Sequence, residues 1–223
     1  MTRPIVAIDG PAGAGKSSVA RMVAERLGYL YIDTGAMYRA VAWKVIQSAI
    51  PISDQSKITA LAKTLDIRFE IGETQRIFAD EEDVTEAIRT PEATRLSSPV
   101  SAIRGVRNRL VELQRKMAED GGVVMEGRDI GTVVFPHAQV KVFLTASATE
   151  RARRRTDQLK GMGIEADVNK IAAEIAERDL RDSSRKHAPL KQAPDAMLLE
   201  TDNMSVEQVI DAIIAIHDER VGK

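Results

Sequence analysis

Gly10, Pro11, Ala12, Gly13, Ala14, Gly15, Lys16 and Ser17 run in the order G-x-x-x-x-G-K-S, and each fixed position has a chemical task. Glycines let backbone amides turn inward around phosphate oxygens, and a helix starting at Lys16 adds its positive dipole end. Lys16 reaches the outer phosphates, Ser17 offers a hydroxyl to Mg²⁺, and Ser18 closes the nucleotide-binding stretch. A glycine-rich turn would match this pattern by accident about once in 30,000 starting positions at ordinary composition, so the functional reading is preferred. The expectation is a protein that holds a nucleoside triphosphate with Mg²⁺ and moves a phosphoryl group.

A second signal is charge where apolar residues should be. Ile171 and Ile175 begin a helical stripe whose next members are Arg178, Asp182 and Arg185. Taken alone, the segment favours a helix that leaves the core with a solvated end, as most charge runs do. If the stripe faces a cleft instead, two guanidiniums and a carboxylate can hold phosphate and sugar hydroxyls together.

Arg151, Arg153, Arg154 and Arg155 form the densest basic run, with Arg151, Arg154 and Arg155 on one helical face. Such a helix can lie on the surface, with Glu150 and Asp157 pairing neighbours. It can also be a mobile lid that brings cations to the transferring group, hinged at residues 161–163. Arg128 and Asp129 follow one apolar run, and Asp33, Thr34 and Arg39 follow another. Positions just past strand ends line the ligand crevice of an open parallel sheet, although Asp33 and Asp129 could equally cap turns.

The elements that must position these residues alternate strand and helix. Ile5, Val6, Ala7 and Ile8 form a short apolar run stopped by Asp9 and Gly10, a buried strand. A helix follows from about Lys16, with Val19, Val23 and Leu27 on one face and Gly28 at its end. A second strand over residues 29–32 leads into a helix carrying Met37, Val41 and Val45. Strand and helix in such quick succession argue for parallel pairing.

The middle breaks this rhythm. Leu65, Ile67, Phe69 and Ile71 alternate with charged residues, and Gly72-Glu73 can turn the chain into Arg76, Ile77 and Phe78, so a small antiparallel sheet is expected at about 66–84. The αβ rhythm then returns. A helix carries Ile103, Val106, Leu110, Leu113 and Met117 and is closed by Gly121-Gly122. Strands are expected at 123–125, 140–144 and 196–199, and helices from about 149, at 171–181 and at 206–216. Five strands in one parallel sheet result.

The 223 residues, 43% hydrophobic, suffice for one substantial core with a small lobe. With 32 basic and 33 acidic residues, the whole-chain charge points to neither nucleic acid nor membrane. The absence of cysteine excludes disulfides and thiolate metal sites, and His137, His187 and His217 are too scattered to suggest a metal cluster. No long apolar stretch stands near the start, so a cytoplasmic protein is the expectation.

Taken together, the blocks IDGPAGAGKS (8–17), YIDTGAMYR (31–39) and EGRDIGTVVFP (126–136), with Glu177-Arg178-Asp179 and Ala188-Pro189-Leu190, resemble the bacterial cytidylate kinases over nearly the whole chain. The resemblance implies an α/β P-loop kinase domain over 1–223, with a five-stranded parallel sheet flanked by helices. A nucleoside-monophosphate lobe at 34–120 would carry the antiparallel sheet, and a lid would lie at 150–166. It implies transfer of the γ-phosphoryl group of ATP to CMP or dCMP with Mg²⁺. A monomer with no nucleic-acid and no membrane partner is the expectation.

By matched position, Ser98, Arg107 and Asp129 would read cytosine, while Arg39 and Arg128 would clamp the acceptor phosphate. Arg178, Asp182 and Arg185 would hold ribose and phosphate. Asp33 and Thr34 join the substrate contacts, and Lys16, Arg128, Arg154 and Arg185 are the candidate catalytic cations. Glu126 stands where some relatives have Asp, which leaves open a water-mediated role at Mg²⁺.

Two rivals stand beside this reading. One is a kinase for another small hydroxylated or phosphorylated acceptor on the same scaffold. The other is a GTP-driven switch, against which Asn169-Lys170 continues into Ile171-Ala172 instead of completing an Asn-Lys-x-Asp guanine reader. A nucleic-acid-dependent ATPase is weaker still at 4% aromatic residues.

Overall fold

The computed structural model describes residues 3–70, 75–161 and 163–222. The chain divides into two compact units, one built from residues up to Ile32 and from Asp120 onward, the other from Asp33–Glu119.

The first unit holds a five-stranded parallel sheet in the order β2-β6-β1-β7-β8. These strands are β1 (Ile5–Asp9), β2 (Leu30–Asp33), β6 (Val123–Gly127), β7 (Val140–Thr145) and β8 (Met197–Glu200). The apolar runs are continuous because central parallel strands are buried on both faces. Around them lie α1 (Lys16–Leu27), α6 (Ala148–Gly161), α7 (Val168–Ser184) and α8 (Val206–Val221). Val19, Ala20 and Val23 of α1 and Val209, Ile210 and Ile213 of α8 pack with Val6, Ile8, Val124, Val142 and Leu144 in one core. Gly28, in the left-handed region, ends α1 as expected. A smaller cluster of Ala152, Ile171 and Ile175 joins α6 to α7.

The second unit contains α2 (Thr34–Gln47), α3 (Gln55–Thr64), the strands β3 (Ile67–Glu70), β4 (Arg76–Ala79) and β5 (Glu82–Asp83), then α4 (Pro91–Ala102) and α5 (Arg104–Met117). β3 and β4 pair antiparallel with Phe69 opposite Ile77, as the alternation predicts, and β5 adds a third, two-residue strand. The expected turn at Gly72-Glu73, with Ile71, lies outside the described residues, as does Met162 of the expected hinge. Arg68 stacks over the Phe78 ring at 4.2 Å, so a charged position of the alternating pattern still packs.

Two helices were not foreseen, and one expectation needs correction. Helices α3 and α4 went unanticipated because their buried faces are Ile58 and Ala62 in one, and Ala93, Ser97, Ser98, Val100 and Ser101 in the other. Small and polar residues carry little periodic signal. Helix α5 is capped at Ala118, and Gly121-Gly122 instead shapes the approach to β6 with both residues at positive φ. No described helix is long and apolar enough to cross a membrane.

Candidate active site

Strand order brings the phosphate loop and the Arg128 turn together. β1 and β6 are hydrogen-bonded neighbours with Asp9 opposite Gly127, so the loop leaving β1 and the turn leaving β6 start side by side at the carboxyl edge of the sheet. On the other side of β1, a Cβ on Gly10 would lie 2.0 Å from the carbonyl oxygen of Leu144 in β7, so the loop begins pressed against that strand. Gly15, at φ 87°, precedes α1 without a side-chain cap, which leaves the first-turn amides open to an anion.

Lys16 is 5% exposed and donates to the Pro11 carbonyl at 2.7 Å. Burial, and next the Arg128 guanidinium, push its pKa down to about 7, with Arg178 acting the same way and Glu126 and Asp9 opposing. Glu126, buried in β6, accepts from the Tyr31 hydroxyl at 2.8 Å. Ser17 and Ser18 are exposed on the first turn of α1.

Opposite the loop lies the charged stripe, and here the reading of a solvated helix end is overturned. Asp182 is buried, and its carboxylate receives Arg128 Nε at 2.9 Å and lies 3.7 Å from the Arg185 guanidinium. Arg185 Nε and the Leu190 amide both donate to the Asp182 carbonyl, so the Ala188-Pro189-Leu190 segment folds back over the end of α7. Helix α7 is therefore charged where it packs against the turn after β6.

The basic run of α6 divides. Arg153 is exposed and pairs with Glu150 and Asp157, which is the surface behaviour weighed for the whole run. Arg155 donates to Gln158 on its own helix. Arg154 pairs with Glu150 and donates to both the hydroxyl and the carbonyl of Thr201, and a Cβ on Gly15 would lie 3.9 Å from its guanidinium. Arg151 pairs with Asp179 and donates to the Ala12 carbonyl at 3.0 Å, while Asp179 accepts from the Ala12 amide at 3.0 Å. Sequence reasoning gave Asp179 no role, although it stands beside Arg178 in one of the family blocks.

Asp9 was missed as well. Its two carboxylate oxygens accept the amides of Ile130 and Gly131 at 2.8 and 2.7 Å. Burial raises its pKa to about 6 against the lowering effect of those two bonds, Asp129 raising it further and Lys16 opposing.

In the second unit, Asp33 does two things at once. It caps α2 by accepting from the Ala36 amide at 2.9 Å, as turn chemistry suggests, and it pairs with Arg39 at 2.8 Å. Thr34 is buried in the first turn of α2, and Ser98 is buried on α4. Arg107, buried on α5, donates to the Ser101 carbonyl at 3.2 Å and sits 5.6 Å from the Tyr38 ring centre. Of the residues matched to cytosine reading, Ser98 and Arg107 belong to this unit and Asp129, also buried, to the first.

Among the described residues no three Asp, Glu, His or Cys side chains converge as a metal cage.

The sequence model of the cytidylate kinase family matches residues 6–219. The cytidylate kinase of Pelotomaculum thermopropionicum (strain DSM 13744 / JCM 10971 / SI) is 51% identical over 214 residues, 95% of each chain. That of Lactiplantibacillus plantarum (strain ATCC BAA-793 / NCIMB 8826 / WCFS1) is 50% identical, covering 95% of this chain and 93% of the other. A bifunctional pantoate ligase/cytidylate kinase of Synechococcus sp. (strain JA-3-3Ab) is 52% identical over 96% of this chain. The chain spans less than half the length of such bifunctional Synechococcus relatives, from 40% to 47%. The crystal structure of an uncharacterized protein from Eubacterium ventriosum ATCC 27560 shares the fold, with a TM-score of 0.55 at 14% identity over 97% of this chain and 99% of that one. The match of the family's sequence pattern to nearly every residue, with whole-length relatives at half identity, places this chain in the cytidylate kinase family.

Proposed function

We propose that the chain transfers the γ-phosphoryl group of ATP to CMP or dCMP, giving ADP with CDP or dCDP. The observation that carries this reading is the buried Arg128–Asp182–Arg185 network beside a phosphate loop in the same unit. The planar donor forks of two arginines beside a phosphate loop suit a second phosphate.

In the proposed reaction an oxygen of the acceptor phosphate attacks the γ-phosphorus while the bond to the β–γ bridging oxygen breaks. A phosphate monoester is largely dianionic at neutral pH, so the attacking oxygen needs no dedicated base. The chain's task is in-line placement and charge neutralisation. Loop amides and Lys16 hold the donor phosphates. Arg128, Arg178 and Arg185 face the acceptor phosphate, Asp182 orients two of these cations and accepts from ribose, and Asp129 accepts from the cytosine amine. In the second unit, Arg39 with Asp33 and Thr34, and Ser98 with Arg107, are assigned to substrate binding. Ser17 would hold Mg²⁺, which would supply charge neutralisation for the transfer. Residues 150–166 act as the lid, with Arg154 as its catalytic cation. Action as a cytoplasmic monomer completes the proposal.

A coupled assay with ATP and a panel of CMP, dCMP, UMP, AMP, GMP and shikimate-like acids tests it. Clear preference for an acceptor outside the cytidine nucleotides rejects the reading.

A further inference from the structure

We infer that Asp9 is a positioning residue whose carboxylate ties the turn bearing Arg128 and Asp129 to the strand end from which the phosphate loop departs. The inference rests on the kinase reading above and deepens it, because the two groups so tied are those assigned to acceptor and donor.

The geometry is specific. Asp9 is the last residue of β1, one position before the loop begins, and Ile130 follows Asp129 directly. Residues Ile130–Val134 form a single π-helical turn, in which the Val134 amide bonds the Asp129 carbonyl and the Phe135 amide bonds the Ile130 carbonyl. Such a turn leaves its first amides without an acceptor of its own, and Asp129, at its start, makes no side-chain cap. Both missing acceptors come from Asp9, one oxygen to Ile130 and the other to Gly131, across a separation of more than a hundred residues. Lys141 holds the far end of the same segment through the Pro136 carbonyl.

A Cβ on Gly131 would stand 3.2 Å from Lys141 Cδ and 3.4 Å from Asp9 Oδ2. Only a carboxylate offers two acceptor oxygens at this reach, since Asn replaces one with a donor that would oppose an amide N–H. Keeping a carboxylate 4% exposed and beside Asp129, with Lys16 as the compensating cation, is costly. A purely structural strand end needs no such group.

The test is Asp9→Asn, with kcat and KM measured for both substrates, folding followed by circular dichroism, and hydrogen exchange followed at the Ile130 and Gly131 amides. The expected result is a folded variant whose kcat falls roughly 10- to 100-fold, as for a misplacement of about an ångström. Its KM for CMP should rise while the KM for ATP stays within about twofold, because the loop keeps its own amides. Exchange at Ile130 and Gly131 should accelerate. Wild-type kinetics per folded molecule, or unchanged protection of both amides, overturns the inference.

If Asp9→Asn does not fold, the unsubstituted chain still decides. Protection of the two amides, corrected for intrinsic exchange, should fall together as pH drops through about 6 and Asp9 gains its proton. Protection indifferent to that change overturns the inference. An unsubstituted chain without CMP-dependent turnover defeats the kinase reading itself, before any variant is made, whereas normal kinetics in Asp9→Asn beside an active parent defeats only the role of Asp9.

Discussion

Arg128 Nε lies 2.9 Å from Asp182 Oδ2, joining the end of β6 to the last turn of α7 where both side chains are largely withdrawn from water, at 18% and 5% exposure. The contact turns a helix whose sequence loses its apolar stripe into one that packs through charge. A buried carboxylate here holds Arg128 and Arg185 in place and offsets their mutual repulsion.

Replacing Asp182 by Ala leaves those two guanidiniums without their shared carboxylate. Breaking a buried pair from one side costs about 3 kcal/mol. Urea unfolding should show a loss of that order, and the KM for CMP should rise more than the KM for ATP. A variant as stable as its parent would mean that solvent already screens the pair.

Lys16→Met should lower kcat by roughly 10²- to 10³-fold, the usual effect of removing one preorganised electrostatic donor. Stability should respond in the opposite direction. The folded pKa of Lys16, about 7, lies below its ordinary 10.5. Across that window the unfolded chain binds a proton that the folded chain has released, so stability attributable to this group rises with pH and its penalty is fully present below about 7. Melting temperatures of parent and variant, compared from acid to alkaline pH, should show the variant relatively more stable at the acid end. A constant difference would reject the lowered pKa.

Asp179→Ala removes the acceptor of the Ala12 amide and the partner of Arg151. A hydrogen bond to a charged group contributes about 1.5 to 3 kcal/mol, so both stability and loop order should suffer. Titration with a fluorescent ATP analogue should give weaker binding with a smaller change in CMP affinity. Unaltered ATP-analogue binding would make the contact incidental to the loop.

Asp33 offers a cleaner separation. Asn caps a helix about as well as Asp, whereas Ala costs about 1 kcal/mol. Asp33→Asn should therefore melt close to the parent, and Asp33→Ala lower, with the difference reporting the cap of α2 alone. Equal losses in both would assign the stability to the Arg39 pair instead.

How much was legible depended on how far apart the participants lie. The phosphate loop is continuous in sequence and sits between a strand and a helix whose apolar runs are themselves local, so motif and elements could be read together. The hairpin of β3 and β4 was legible for the same reason. Helices α3 and α4 were not, because a face of Ile58 and Ala62, or of Ala93, Ser97 and Val100, is too small or polar to stand out.

The sequence by itself determined that this chain builds a parallel αβ sheet and carries a glycine-rich loop of the phosphate-binding pattern at the end of its first strand, since hydrophobic period and turn chemistry act between near neighbours. Only the tertiary structure decided which charges meet. Asp9 with Gly131, Arg128 with Asp182 and Ala12 with Asp179 are 122, 54 and 167 residues apart. No local pattern selects such partners. They are selected because strand order and helix packing remove these groups from water together, and a buried charge persists where it finds a hydrogen-bonding partner.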